Sequence, residues 1–521
     1  MMAAQTLKEK IEELQKSKQT PQNSPPKIQR VAYYRRKIPN LRKYYKPKLV
    51  SIGPIHHDNK NLKLGEKYKL KWAAEYIENT PLNPENTALH AENTALNAEN
   101  FALKAEKLYK KIDEDINNLK GHFSEDVLTL TKKSLEGFGT LEEKLSLMLF
   151  VDGCSLLHIL ENARRNNPGK MNIKVDQLFL VMVDVVLLEN QLPYEVLKLL
   201  WKNENESELI QSMTDFFKYN HWAQSEKEKD MGPKKNGEGE YSVSIPLPNE
   251  SPTHLLDHLR KLNLTTPKSK LNQGPGFESS LGHAAVLKLL GRACRPFGSH
   301  NVREISLRSC ARRIPGLHQK SNEAKSKECS QKKNESKPIT YRGIEDLRAV
   351  GISLKASFTP KPTDIDFSAG WFSAKLTIPR IPVNNFTAAI FLNLVAYEMC
   401  PDFDNDYQIC SYVALMDSLI DHPEDVKVLR SKRILSTLWS DEEVANLFNI
   451  IGTDLVANID KYFYVQDKLC EHYFNKYKSW IALGFRTYFN NPWTVIAFLV
   501  AFTALALTFI QTWFTVHPAS K

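Results

Sequence analysis

The sequence predicts a mainly α protein: a multi-helix globular body with a small β element and one C-terminal transmembrane helix. Three observations lead there. Hydrophobic residues recur three and four apart through SLEGFGTLEEKLSLMLFVDGCSLLHILENA and KVDQLFLVMVDVVLLENQLPYEVLKLLW, the spacing of core helices. In DIDFSAGWFSAKLTIPRIPVN, apolar residues instead alternate with polar ones and prolines, as in short strands. The run WTVIAFLVAFTALALTFIQTWF, from Trp493 to Phe514, carries no charge and is long enough to cross a hydrocarbon core of about 30 Å.

The membrane run is the strongest of these signals. Trp493 and Trp513 sit at its two ends, where amphipathic rings prefer headgroup depth. Lys476, Lys478 and Arg486 precede it and only Lys521 follows, so the positive-inside bias places the body in the cytosol; the plasma membrane is the favoured location. Five N-x-S/T sequons, at Asn205, Asn249, Asn263, Asn334 and Asn385, would carry glycans only on the opposite side. The start MMAAQTLKEKIEELQKSKQT lacks the apolar stretch of a secretory signal, so insertion is expected to depend on the C-terminal run.

The body has the means to bury a sizeable core: 521 residues, 42% of them hydrophobic, with length enough for two or three domains. The formal charge of +10 favours acidic partners but is also an ordinary solubility feature. Cys154, Cys294, Cys310, Cys329, Cys400, Cys410 and Cys470 are scattered without a CxxC pair or a Cys/His cluster. Neither a structural zinc site nor a dense disulfide framework is expected.

Along the chain, 1–30 reads as a flexible N-terminal segment and 31–261 as the first part of the helical body. The stretch 262–338 is polar and cationic, cannot bury enough apolar area to offset its ordering entropy, and reads as a disordered insertion with a short helical island near HAAVLKLLGRAC. The second part of the body covers 339–490, the membrane helix 491–516 and a short tail 517–521. Near the start, YYRRKIPNLRKYYKPK interleaves cations with tyrosines, a composition that stacks on bases or lies on anionic lipid, and more commonly forms a snorkelling surface on its own domain. From Glu85 the heptads ENTALHA, ENTALNA and ENFALKA set alanines 88, 91, 95, 98, 102 and 105 in one stripe beside Leu89, Leu96 and Leu103. Either a partner helix or, as the short length favours, local packing would cover it. The helix before Pro193 is expected to end near Glu189, with another starting on the proline.

A set of blocks then stands in order: SIGPIHH (Ser51 to His57) with Glu66 and Lys69, VDGCSLLHIL, DVVLLENQLPYEVLKLL (Asp184 to Leu200), HLLD (His254 to Asp257), YRGIEDLRAVGISLK, NLVAYEMC, YVALMDSLI with Asp425 and Val426, and NPW entering the membrane helix. Together they resemble the plant family called domain of unknown function 247, over nearly all of the chain from about residue 30. The resemblance implies a helical, single-pass plant membrane protein and does not imply an enzyme, since the family has no established general activity. Some grass members are associated with self-incompatibility recognition, a role that does not transfer residue by residue. The resemblance marks Gly53, Pro54, His57, Glu66, Lys69, Asp152, Gly153, Glu189, Asn190, Gln191, Pro193, Asn491, Pro492 and Trp493 as signature positions and gives none of them a role. The heptads and the basic insertion depart from its pattern.

Three groups invite a chemical reading. His56 and His57 lie near Asp58 and Glu66, residue types suited to acid/base work or metal binding; a packed Gly-Pro turn accounts for the same residues and is the favoured reading, since no third ligand stands at recognisable spacing. Cys154 after Asp152 and Gly153 has a nucleophile reading, but its apolar neighbours suit a small buried side chain. Glu189, Asn190 and Gln191 stand among apolar residues and must be hydrogen-bonded if buried, as a capping network or as a ligand pocket. No phosphate loop, nucleophile elbow, HExxH or kinase set occurs, so no metal or other cofactor is expected. The expectation is a membrane-tethered, non-enzymatic interaction or recognition protein. Its partners are the lipid bilayer, through Trp493 to Phe514, and an unknown protein; nucleic acid is not expected. The alternative is a membrane-bound enzyme using the His56/His57 region.

Overall fold

The computed structural model describes residues 10, 11, 15, 27–81, 94–135, 137–164, 167–203, 205–220, 251–264, 343–357, 361, 363–370, 374–403, 407–474 and 492–516. Outside the described residues lie most of the N-terminal segment, the first heptads, the basic insertion from 265 on, the sequons at Asn249 and Asn334, and the stretch 475–491 with Lys476, Lys478, Arg486 and Asn491. The protein is mainly helical with small sheets. It divides into two compact units, one drawn from Met1–Arg308, Pro382–Cys410 and Asp454–Asn458, the other from Ser309–Ile381, Ser411–Thr453 and Ile459–Lys521.

The first unit is built on the helix Leu141–Asn162. Thr140 caps its start by accepting the Glu143 N–H, and no proline interrupts it. It is long and apolar enough to span a membrane, yet 78% of its apolar window is buried, so it is a core helix. Gly153 lets the helix Tyr194–Leu200 approach closely: a Cβ there would stand 2.4 Å from Leu200 Cδ1 and 3.0 Å from Val196 Cγ1. Beside it, the helix Lys63–Glu78 buries Trp72 and Tyr76 and satisfies their polar ends, with Trp72 Nε1 donating to Met171 O and Tyr76 Oη to Leu200 O. The helix Asn385–Glu398, capped by Asn384, buries every residue from Phe386 onward, which explains its apolar character all round.

Two expectations are corrected here. The helix Val175–Asp184 stops at Asp184, five residues before Glu189, for reasons that lie in the site described below. In the helix Thr94–Glu114 the alanine stripe is not packed locally at Ala98 and Ala102, which are exposed along with Phe101 and Leu103; burial begins only at Leu108 and Ile112. Alanine offers little apolar area to bury, so larger side chains fix where this helix docks.

The second unit holds a three-stranded sheet of β1 (Ile352–Ser357), β2 (Asp366–Ala369) and β3 (Ala374–Pro379), in the order β1-β3-β2. The pair β1 and β3 is parallel, with Ile352 opposite Ala374; β2 and β3 are antiparallel, with Phe367 opposite Leu376. Ile352, Leu354, Phe367, Ala374, Leu376 and Ile378 are buried, the period of two expected of a half-covered sheet. The helix Ile344–Ala349 precedes β1, and Pro423–Ser431, Asp441–Ile451 and Phe463–Phe474 complete the body of this unit.

Among the described residues, the helix Pro492–Val516 differs from the others in being apolar and uncovered. Its span Trp493–Trp513 is long enough to cross a membrane and none of its apolar window is buried. The hydroxyls of Thr503, Thr508, Thr512 and Thr515 each donate to the carbonyl four residues back, so these polar groups are satisfied within the helix.

A buried polar network as the candidate functional site

Residues 48–53 run without regular secondary structure through the core of the first unit, where every backbone N–H requires a partner. Side chains remote in the sequence supply those of Lys48, Leu49, Val50, Ile52 and Gly53. Asp184 accepts Lys48 N–H through Oδ1 at 2.9 Å, and Leu49 and Val50 N–H through Oδ2 at 2.7 and 2.9 Å. Asn190 Oδ1 accepts Ile52 N–H at 2.7 Å, and Asp152 Oδ2 accepts Gly53 N–H at 2.8 Å. Burial pushes the Asp184 carboxyl up to about 6, against the pull of the three amides.

The same logic explains the early end of the helix Val175–Asp184. Residues 185–193 are buried but not helical, and the amides of Asn190 and Gln191 take over their carbonyls. Asn190 Nδ2 donates to Asp184 O and Val50 O; Gln191 Nε2 donates to Val185 O, Leu187 O and Asn190 O. Gln191 Oε1 accepts Leu256 N–H, and Asn393 Oδ1 accepts Leu188 N–H while its amide donates to Tyr44 O and Ala389 O. Gly53 has φ +77°, and a Cβ there would stand 2.6 Å from Gln191 O, so the turn of the SIGP block closes directly on the ENQ block.

Charged pairs lie at the two ends of this network. Lys69 Nζ sits 2.5 Å from Asp152 Oδ1 and 2.9 Å from Glu66 Oε2; Lys69 and Asp152 are each 1% exposed. Burial disfavours the Lys69 ammonium, but Asp152 and Glu66 outweigh it and hold the amine above its ordinary range. Ser51 Oγ donates to Glu66 Oε1 at 2.6 Å. At the other end, Glu189 Oε1 accepts Val31 N–H at 2.9 Å, and its Oε2 lies 3.0 Å from His56 Nε2.

The network thus gathers Gly53, Glu66, Lys69, Asp152, Glu189, Asn190 and Gln191 from blocks far apart in the chain. Gly153 and Pro193 serve packing beside it: Pro193 is buried and immediately precedes the helix Tyr194–Leu200. Pro54 is buried within the turn; His57 is half-buried, and its Nδ1 has no hydrogen-bond partner among the described residues. Asp58 does not join the histidines but pairs with Lys144, both carboxylate oxygens at 3.0 Å from Nζ. Cys154 is fully buried, and burial pushes its thiol well up, which keeps it protonated. Pro492 and Trp493 open the uncovered apolar helix of the second unit, and Asn491 lies outside the described residues. Among the described residues, no group of three or more His, Cys, Asp or Glu side chains is arranged to hold a metal ion.

Sequence reasoning placed Asp184 and Asp425 in the signature blocks without giving them a role and did not name Asn393 or Glu398; all four do equivalent work. Glu398 accepts Ile409 and Cys410 N–H at the start of the helix Gln408–Leu419 and pairs with Arg260 at 2.8 Å. In the second unit, Asp425 accepts Glu345, Asp421 and His422 N–H, joining YRGIEDL to the block that follows YVALMDSLI. For Asp184, Asn393 and Glu398 the available signal was a lone polar residue inside an apolar block; Asp425, in DHPEDVKVLR, carries no such signal.

These features define a class: a helical protein whose sequence blocks are cross-linked by buried carboxylates and amides, with an uncovered apolar helix near its C-terminus. The family model described as DUF247, plant protein of unknown function, matches residues 28–507, and the chain belongs to that family. It is similar to UPF0481 protein At3g47200 of Arabidopsis thaliana, 24% identical over 483 residues, 90% of this chain and 82% of that protein. A second Arabidopsis thaliana UPF0481 protein, At3g02645, is 28% identical over 178 residues, 33% of this chain and 32% of that protein. No solved structure matches the chain.

Proposed function

We propose that this protein is a membrane-tethered, non-enzymatic interaction or recognition module. The helix Pro492–Val516 inserts as a single span and the body stands on the cytosolic side, with the plasma membrane as the favoured location. The observation that carries the reading is the uncovered span Trp493–Trp513: an apolar helix of this length with none of its window buried matches the hydrocarbon core of a bilayer. A protein partner fits a fixed body held at a surface, because tethering raises its effective concentration toward neighbours in the same membrane.

Two further observations bear on the details. The His56/His57 region is drawn into a turn whose neighbouring carboxylates already hold backbone amides and Lys69, so a fold-specifying role accounts for these residues without substrate. The sequon at Asn263 is buried, and its Nδ2 donates to Leu259 O at 3.0 Å; a glycan on that nitrogen is incompatible with the folded helix Leu255–Leu264, whereas the sequons at Asn205 and Asn385 are exposed and are the ones the test reads. The test is the full chain tagged at each end in intact membranes. Resistance to alkaline carbonate, protease access to the body and absence of glycan are expected; a protected, glycosylated body would replace this reading with a lumenal or extracellular module.

A further inference from the structure

From residue 28 to residue 57 the chain contains no Asp or Glu, although it is rich in Lys and Arg. Six of these cations, between Arg35 and Lys46, fall into two sets. Arg35 is fully buried, with Nε 3.5 Å from Tyr45 Oη, and Arg36 Nε donates to Val31 O and lies 3.9 Å from Glu189. These two are used inside the fold. Lys37, Arg42, Lys43 and Lys46 are exposed, and none of the four is paired with a carboxylate among the described residues. Tyr33 and Tyr34 are 64% and 49% exposed beside them, and Lys37 Nζ lies 4.6 Å from the centroid of the Tyr33 ring. The segment is also fixed in place. Its C-terminal end is held by Asp184 through Lys48, Leu49 and Val50, and Leu41, Tyr44 and Tyr45 anchor its middle in the core.

An ordered platform of unpaired cations with two exposed tyrosines matches one surface chemistry closely: anionic lipid headgroups, where cations gain from the surface potential and tyrosine rings prefer interfacial depth. We propose that residues 33–48 form a second, peripheral membrane contact that binds anionic lipid and sets how the body lies on the bilayer. The proposal rests on the tethered, cytosolic reading above, which brings a bilayer within reach. It goes beyond that reading by naming the lipid class and the contact residues. Because the platform is pre-ordered, docking requires little further ordering, and each cation at such a surface contributes about fivefold to the binding constant.

The test is hydrogen exchange of the full chain, reconstituted in vesicles of phosphatidylcholine alone or of phosphatidylcholine with phosphatidylserine. Peptides covering 33–47 are expected to exchange at least about fivefold more slowly with phosphatidylserine at low salt. That protection should vanish at high salt and in the quadruple variant Lys37→Glu/Arg42→Glu/Lys43→Glu/Lys46→Glu. Exchange in Leu141–Asn162 should not change in any sample, which shows that the variant is folded. Equal exchange in the two lipids overturns the proposal, as does protection that appears only when RNA or heparin is added. If carbonate strips the chain from the vesicles, the tethering reading fails by itself; protection by added phosphatidylserine vesicles then still decides the peripheral contact.

Discussion

Replacing Lys69 by Met tests the central claim of the buried network. Met keeps the stem of the side chain and removes the ammonium, leaving Asp152 1% exposed with the Gly53 N–H as its remaining close donor. Glu66, 34% exposed, can turn toward water and loses little. Removing one partner of a buried ion pair typically costs about 3–5 kcal/mol, and the upper part of that range applies because both groups here are almost inaccessible. The assay is equilibrium denaturation of the full chain in mild detergent, followed by near-ultraviolet circular dichroism. A second variant, Lys69→Met/Asp152→Asn, removes the stranded charge while keeping an acceptor for Gly53 and should recover about half of the loss. The pH dependence has a definite sign. Burial raises the Asp152 pKa, and without Lys69 it rises further, so the penalty in the single variant should grow as pH rises and shrink under mild acid. A loss below about 1 kcal/mol, or a double variant no better than the single, would refute the assignment of this pair as a structural clamp.

Further outcomes follow from the same geometry. Asp184→Asn places an amide against at least one of the three N–H groups of Lys48, Leu49 and Val50, and should lower stability by about 2–4 kcal/mol in the same denaturation assay. Gly53→Ala should be far more harmful than Gly137→Ala: both positions have positive φ, but a Cβ at 53 meets Gln191 O at 2.6 Å whereas one at 137 meets nothing within 4 Å. Burial pulls His254 and His258 down to about 4, so each contributes stability present above pH 6.5 and lost as pH falls toward 4, about 3 kcal/mol apiece. Asp184, pushed up to about 6, acts in the opposite direction between pH 6 and 4 by a similar amount, leaving a net acid loss of about 3 kcal/mol. In a pH series of melting curves, His258→Gln should remove most of that net loss.

Helical content, the small β element and the candidate membrane helix were legible because each rests on periodicity or on an uninterrupted apolar length. The helix Leu141–Asn162 and the strands β2 and β3 fall where the pattern places them. The end of Val175–Asp184 was not legible, since it depends on Asp184 finding the amides of residues 48–50, 134 to 136 positions away. Nor does local sequence show that Lys69 faces Asp152 across 83 residues; only the presence of both in distinctive blocks hinted at a common role. The alanine heptads, of which Ala98 and Ala102 are described as exposed, show a related limit: a regular stripe fixes which face is small, not what covers it. In the site, residue types were readable but their partners were not, because the partners are backbone groups and side chains of distant blocks, which no local motif records.

The side chain of Asn393 has a consequence for how the protein is made. It accepts Leu188 N–H and donates to Tyr44 O, 205 and 349 positions earlier in the chain. During synthesis from the N-terminus, both groups emerge long before the residue that satisfies them. Until the helix Asn385–Glu398 is made, the Leu188 N–H, the Tyr44 carbonyl and the apolar surface that this helix covers are without their native partners, and they are then accessible to water or chaperones. A polypeptide halted before that helix would be an assembly intermediate rather than an independent domain.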